Sequence, residues 1–256
     1  MNEVEIKSRT RFCHFTTVDN LRKILQTSCF WCSKYDDMND LAEANNHKTD
    51  GNRVFVLSFS HSEAFNIPVF YLYGGIDGKG CRIQFTDAKM REMLNDAVVH
   101  YVGKRKKKLK TPVPKSKYTI YCDWIHYIAQ SGYHIYNNSE AKRFQSFEAG
   151  CAELEKQNKH YFIKNSIWRY ENEFRIVIVF HEDIPYEKVA LDFRIKNKEK
   201  GISLRFGPET TQEEWETLKR ECEQYGGIRC VKNKEGVIFM DLISKNSWLY
   251  QKRKGK

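Results

Sequence analysis

The sequence contains no apolar stretch approaching the roughly 18 residues that a membrane-spanning helix needs. A membrane partner is therefore not expected. With only 5 prolines and 14 glycines in 256 residues, it also lacks any linker rich in Pro, Gly or Ser, and no internal repeat is visible. One domain spanning residues 1–256 is the simplest organisation. The opening MNEVEIKSRTRF has no apolar core of the kind a secretory signal carries, which makes the cytoplasm the expected compartment. Eight cysteines, at 13, 29, 32, 81, 122, 151, 222 and 230, form no paired framework and most fall where apolar residues would fit, so reduced core thiols are expected. Cys29 and Cys32 make a lone CxxC without the second pair that a zinc site needs, and no metal is expected.

What the chain does have is positive charge, 43 Lys and Arg against 33 Asp and Glu for a net +10. An anionic partner follows, and nucleic acid is the commonest one. The excess is concentrated in a loop over 103–117, with Lys104, Arg105, Lys106, Lys107, Lys108 and Lys110, and in the tail QKRKGK over 251–256. These residues are candidate phosphate contacts, although such runs are more often merely solvated. Tyr118, Tyr121 and Trp124 follow the loop and are either core residues, the more frequent case, or stacking platforms for unpaired bases.

The periodicity predicts an α+β domain with strands in the majority and helices on the flanks. RFCHF (11–15) reads as a strand, and Thr17 as the N-cap of a helix with Val18, Leu21, Ile24 and Leu25 on one face. RVFVLSFS (53–60) is a strand with Phe55, Leu57 and Phe59 on one side and Val54, Val56, Ser58 and Ser60 on the other. A short extended piece at 30–32, a short helix or turn at IPVFYLYGG, a strand at GKGCRIQF and a helix at DAKMREMLND are also expected. AVVHYV and YTIYCDWIHYI read as strands, and the spacing of Ala141, Phe144, Phe147, Cys151 and Leu154 predicts a helix over 138–158. EFRIVIVF, KVALDF, ISLRF, IRCVK and GVIFMDLI complete the strands, with a helix at TQEEWETLKRECEQY.

The stretch RYENEFRIVIVF stands out, because on a strand Glu171, Glu173 and Arg175 would point to the same face. They are either an exposed ion-pair row of little energetic weight or the wall of a cleft in which one carboxylate works and its neighbours set its charge. His14, with Thr16 on its face, is most simply a structural strand histidine, and Ser58 and Ser60 a polar outer face. They become a site only if they meet the glutamates.

HFTTVDNLRKIL resembles the opening strand and helix of the DarT-type ADP-ribosyltransferases, through His14, Thr16, Asn20 and Leu21. The succession HFTT, MND, VLSFS, YLYGG, GKGCRIQF, WRYENEFR and FGP also resembles a bacterial family of unassigned domains common in phage-defence islands. The resemblance implies an ADP-ribosyltransferase-like split β-sheet core with flanking helices and NAD as co-substrate. It implies His14, Thr16, Asn20, Ser58, Ser60, Tyr71, Tyr73 and Arg175 at the NAD site, one of the tyrosines stacking on nicotinamide, with Glu173 and Glu171 as the catalytic pair. It further implies a toxin acting on RNA, in preference to single-stranded DNA, held in check by a protein antitoxin. The segment after Leu25 and the 103–117 insertion match nothing in that pattern. Two other classes stay open: a non-catalytic module of a defence system that senses nucleic acid or phage, and, more weakly, a metal-dependent nuclease.

Overall fold

The computed structural model of the chain describes residues 11–38, 52–61, 67–103, 111–136, 139–193, 201–225 and 229–230. In order these form β1 (Arg11–Thr16), α1 (Val18–Thr27), β2 (Cys29–Lys34), β3 (Val54–His61), α2 (Ile67–Tyr73), β4 (Cys81–Thr86), α3 (Asp87–Asp96) and β5 (Val98–Tyr101). Then follow β6 (Tyr118–Trp124), β7 (His126–Ile128), β8 (Tyr133–Tyr136), β9 (Ser139–Arg143), α4 (Phe147–Lys156) and β10 (Ile163–Asn165). The last elements are β11 (Glu173–Phe180), β12 (Lys188–Asp192), β13 (Ile202–Phe206), α5 (Gln212–Tyr225) and β14 (Arg229–Cys230). The architecture is α+β. Among the described residues no helix is long and apolar enough to cross a membrane.

Ten strands make one sheet, in the order β14-β13-β4-β1-β3-β2-β12-β5, and β11 joins it by pairing with β3 on one side and β6 on the other. β10-β7-β8-β9 form a second, four-stranded sheet. The alternation read from the sequence sets the two faces of the large sheet. Phe55, Leu57 and Phe59 of β3 and Phe174, Ile176 and Ile178 of β11 enter the main core with Leu21, Ile24 and Leu25 of α1. Val54, Val56 and Val177 face the other way and pack on Ile125, Tyr127, Tyr161 and Phe162, which the second sheet and its connections supply. Both faces of β11 are thus covered, and the charges at its start are buried with them.

β3 carries three neighbours, and this is the feature that positions the site. One edge pairs with β11 continuously from Ser60↔Glu173 to Val54↔Val179. The opposite edge is shared, with β1 pairing at His61 and Ser60 and β2 at Val56 and Phe55. Both are antiparallel to β3, so β1 and β2 run in the same direction, and α1 is the crossover between them. Thr17 caps α1 by accepting from Asn20 N–H, and Arg22 ties the helix to Glu221 of α5 at 2.8 and 3.1 Å. The large sheet therefore forks at Leu57, Ser58 and Phe59, where β1 has left β3 and β2 has not yet joined it.

Two expectations need correction. Residues 139–143 are a strand, paired antiparallel with β8, and α4 begins only after Ser146, whose hydroxyl accepts from Ala149 N–H. Cross-strand pairing overrides the helical spacing there. YTIYCDWIHYI forms two strands as expected, dividing at Ile125, whose N–H still bonds the carbonyl of Glu173 at 2.9 Å before β7 passes to the small sheet. Glu171 precedes β11, in a 3₁₀ turn over Ser166–Glu171. The double glycine after α2 allows a close chain crossing: a Cβ on Gly80 would lie 2.0 Å from the carbonyl oxygen of Gly74. GVIFMDLI and the tail 251–256 lie outside the described residues.

The small sheet contains a buried imidazole pair, His126 Nδ1 and His134 Nε2 lying 3.1 Å apart. Burial lowers the proton affinity of His126 to about 4, with Asp123 opposing and His134 and Lys159 adding to the effect. Burial, then Lys142, lowers that of His134 as well. An unfolded histidine takes up its proton near pH 6.5, so acidification below that value favours the unfolded chain until the folded imidazole titrates near pH 4. Urea denaturation should show stability falling across this window by up to about 3 kcal/mol through His126 alone. His126→Gln should flatten the slope, and an unchanged slope would contradict this assignment.

Candidate active site

The fork opens into a cleft of about 260 Å³, lined by His14 and Phe15 from β1, Trp31 and Ser33 from β2, residues 56–60 of β3, Tyr73 of α2, Lys164 of β10, Glu171 and Glu173. That volume lies near the lower end for small-molecule sites, roughly 300 Å³ upward. The imidazole of His14 sits in the gap that the departing strand leaves. Its Nδ1 lies 3.1 Å from the carbonyl oxygen of Ser58, which has no strand partner on that edge. Since a carbonyl only accepts, Nδ1 carries the hydrogen, and Nε2 is the nitrogen left to meet a ligand. Burial lowers the proton affinity of the ring, the Ser58 carbonyl opposing, so it is neutral at pH 7.

Glu171, Glu173 and Arg175 are buried, at 5%, 4% and 0% exposure, which removes the exposed ion-pair row as an explanation. Glu173 has its full complement of donors. Oε1 accepts from Ser58 Oγ at 2.5 Å and Arg175 Nε at 2.8 Å, and Oε2 from Arg175 Nη2 at 3.0 Å and Lys164 Nζ at 3.3 Å. Burial alone would raise its proton affinity, but the charges of Arg175 and Lys164 and the bonds from Arg175 and Ser58 outweigh it, and Glu173 is held ionised. Glu171 has fewer donors, with Tyr73 Oη on Oε1 and Lys164 Nζ at 2.6 Å from Oε2. Its proton affinity is raised, by burial first and by the neighbouring Glu173, against the pull of Lys164. Environment has thus separated two chemically identical side chains, one a fixed anion and one with a raised affinity for a proton.

They converge through a backbone device rather than through strand periodicity. Asn172 adopts a left-handed conformation, φ 43°, which asparagine tolerates better than most residues. Its N–H closes the 3₁₀ turn on Arg169 at 3.1 Å, and its amide nitrogen holds the His61 carbonyl at 3.0 Å. The hydroxyl of Ser60 donates to the carbonyl of Glu171 from the facing strand. Glu171 therefore swings back beside Glu173, and Lys164 Nζ reaches both.

Among the residues singled out from the sequence, the structure brings His14, Ser58, Ser60, Tyr73, Glu171 and Glu173 to one cleft, with Arg175 immediately behind Glu173. Others are elsewhere. Tyr71 and Tyr73 are two residues apart on a helix, on nearly opposite sides, and Tyr71 Oη donates instead to Glu209 at 3.1 Å. Thr16 is buried in β1 past the fork, opposite Cys81. Asn20 is exposed on α1, where its side chain accepts from Lys23. Tyr118 and Trp124 are core residues, while Tyr121 is 47% exposed. Lys104, Arg105, Lys106, Lys107, Lys108 and Lys110 lie outside the described residues. Cys29 and Cys32, three apart on β2, pack in separate apolar clusters. Among the described residues, no His, Cys, Asp or Glu side chains group as a metal site; between Glu171 and Glu173 sits an ammonium.

Lys164 is the functional-site residue that sequence reasoning passes over. Its signal is a lone charge after Tyr161, Phe162 and Ile163, at a position where burial demands a partner. Tyr127 escapes as well: directly across from Lys164, its hydroxyl accepts the N–H of Glu173 at 2.9 Å.

Arg175 also donates to the carbonyl of Tyr161 at 2.8 Å, so it fixes Glu173 and the approach to β10 together. Arg175→Met should cost about 3–5 kcal/mol in denaturant unfolding by stranding a buried carboxylate. Arg175→Lys should recover little of this, because an ammonium cannot reproduce the two-pronged contact; full recovery would refute the assigned role. Comparison of the chain with protein-family models, with curated proteins and with solved structures gives no match, so its function is argued from this cleft.

Proposed function

We propose that the chain is an NAD-dependent ADP-ribosyltransferase whose acceptor is a nucleic acid. The observation that carries the reading is the forked sheet, with a neutral imidazole in the fork and two buried carboxylates of opposed proton affinity on its wall. In the reaction the bond between nicotinamide and ribose C1′ breaks, nicotinamide departs with the electron pair, and a lone pair of the acceptor closes on C1′. Positive charge builds on the ribose meanwhile, and a fixed anion with no reorganisation to undergo is what stabilises it. Glu173 fits that role. A ribose hydroxyl would reach it by replacing Ser58 Oγ or the longer contact from Lys164. Glu171 fits the second task, accepting the proton that the acceptor sheds. His14 offers Nε2 to a ribose hydroxyl, and Tyr73 closes the cleft over Glu171.

The acceptor class rests on charge. A net +10 supplies sequence-independent affinity for phosphates that weakens with salt. RNA is the acceptor proposed ahead of single-stranded DNA, with a protein antitoxin as the partner that keeps such an activity in check. A second reading is favoured by one observation, the complete set of donors on Glu173: a non-catalytic nucleic-acid-sensing module whose buried ion pairs serve only to hold the fork.

Incubation of the purified protein with NAD labelled in the adenylate, together with total RNA or single-stranded oligonucleotides, separates the two. The transferase reading predicts label on the nucleic acid, lost by 10²-fold or more, on the order of one removed transition-state contact, in Glu173→Gln. Glu171→Gln should likewise fail to transfer, while Glu153→Gln, a half-buried side chain of α4 outside the cleft, should behave as wild type. Absence of NAD turnover with every acceptor would leave the sensing module, and strand cleavage requiring metal but no NAD would point to a nuclease.

A further inference from the structure

The cleft holds a buried cation for which the reaction outlined above has no direct use. Lys164 is 5% exposed and belongs to the small sheet, yet its ammonium lies 2.6 Å from Glu171 and 3.3 Å from Glu173. The alternative counter-ion is already committed. Arg175 spends Nε and Nη2 on Glu173 and directs Nη1 to the carbonyl of Tyr161 at 2.8 Å and the Tyr35 hydroxyl at 3.5 Å, so it cannot turn toward Glu171. Among the described residues, the groups facing Glu171 are Tyr73 from α2, Lys164 from β10, Glu173 from β11 and Tyr170 from its own turn. Of these only Lys164 carries positive charge.

We infer that Lys164 is the positioning residue of the site: by sharing one ammonium between the two carboxylates, it holds Glu171 as an anion facing the cleft at neutral pH. The inference rests on reading the cleft as a transferase site, since its consequence is that Glu171 is free to take the acceptor proton. The geometry of the lysine is itself over-determined. Its strand is in register with β7, Lys164 opposite Tyr127, and Tyr127 accepts the Glu173 N–H, so the small sheet delivers a neutral acceptor and a cation to the same carboxylate strand. The ammonium also lies 5.0 Å from the ring centroid of Trp168, a contact that favours the charged form of a buried lysine. Without the ammonium, Glu171 keeps a single side-chain donor, Tyr73, next to an ionised Glu173. Its affinity for a proton would then rise further, and it would lose its use as a base.

The test is a pH titration of protein labelled with ¹³C at glutamate carboxyls, with the Glu171 signal assigned by its loss in Glu171→Gln. Lys164→Met should raise the Glu171 midpoint by about 1–3 units, the effect expected of removing an adjacent opposite charge. Lys164→Arg should restore most of the shift. In NAD consumption the acid limb of the pH profile should move upward by the same amount, so that Lys164→Met is impaired at neutral pH and recovers as pH rises. A purely structural lysine would lower the rate at every pH. An unchanged Glu171 midpoint in folded Lys164→Met would overturn the inference. Should that variant fail to fold, the wild type decides: the ¹³Cε signal of Lys164 must step at the Glu171 midpoint, and absence of the step overturns it. If the midpoints move as expected while no acceptor supports NAD turnover, the ionic coupling stands and the transferase reading falls.

Discussion

A carboxylate removed from water needs every lone pair answered by the protein, and the structure is organised around doing this for Glu173. Ser58 from the facing strand, Arg175 from its own strand and Lys164 from the small sheet supply the donors, while Tyr127 receives its backbone N–H. Each comes from a different part of the chain, so the contact also ties those parts together. Burying such a set confers little net stability, because desolvation roughly offsets the attraction. What it does confer is a fixed arrangement.

The second constraint is the fork in the large sheet. A continuous β1-β3 ladder would leave no opening at Ser58, and the crossover through α1 is what parts β1 from β2 along that edge. The freed carbonyl of Ser58 is then satisfied by His14, which fixes the tautomer of the imidazole without a carboxylate partner. The hydroxyl of the same serine holds Glu173. One residue thus connects the two halves of the cleft through its backbone and its side chain, in the manner of a support for groups that must not move.

Much of this was legible in the sequence where side-chain period decides. The faces of β3 and β11 follow from a period of two, the cap of α1 from its threonine, and of the described cysteines those at 13, 29, 32, 81 and 222 are buried while Cys122 and Cys151 are half-buried. The convergence of His14, Ser58, Ser60 and Glu173 was legible only as an order along the chain. Glu171 came out beside Glu173 for a reason different from the one expected: a left-handed Asn172 returns it from a 3₁₀ turn, whereas strand periodicity would have required no such device. Lys164 was not legible, because a single lysine in an apolar stretch has no periodicity, and only the pairing of β10 with β7 sets it over the carboxylates. The first part of the helix expected over 138–158 is a strand for a related reason, since the pairing of β9 with β8 is a tertiary fact, while its later part stands as α4.

As proposed above, the fork holds the nicotinamide riboside end of NAD for cleavage. A crystal structure of the protein with a carbocyclic, non-cleavable analogue of NAD tests it most directly. The expected result is the ribose in the fork, with one hydroxyl within hydrogen-bond distance of Glu173 or Glu171 and another near Nε2 of His14, and Ser58 or Lys164 displaced from its present contact. An analogue bound elsewhere, or a fork left unchanged at saturating concentration, would contradict it.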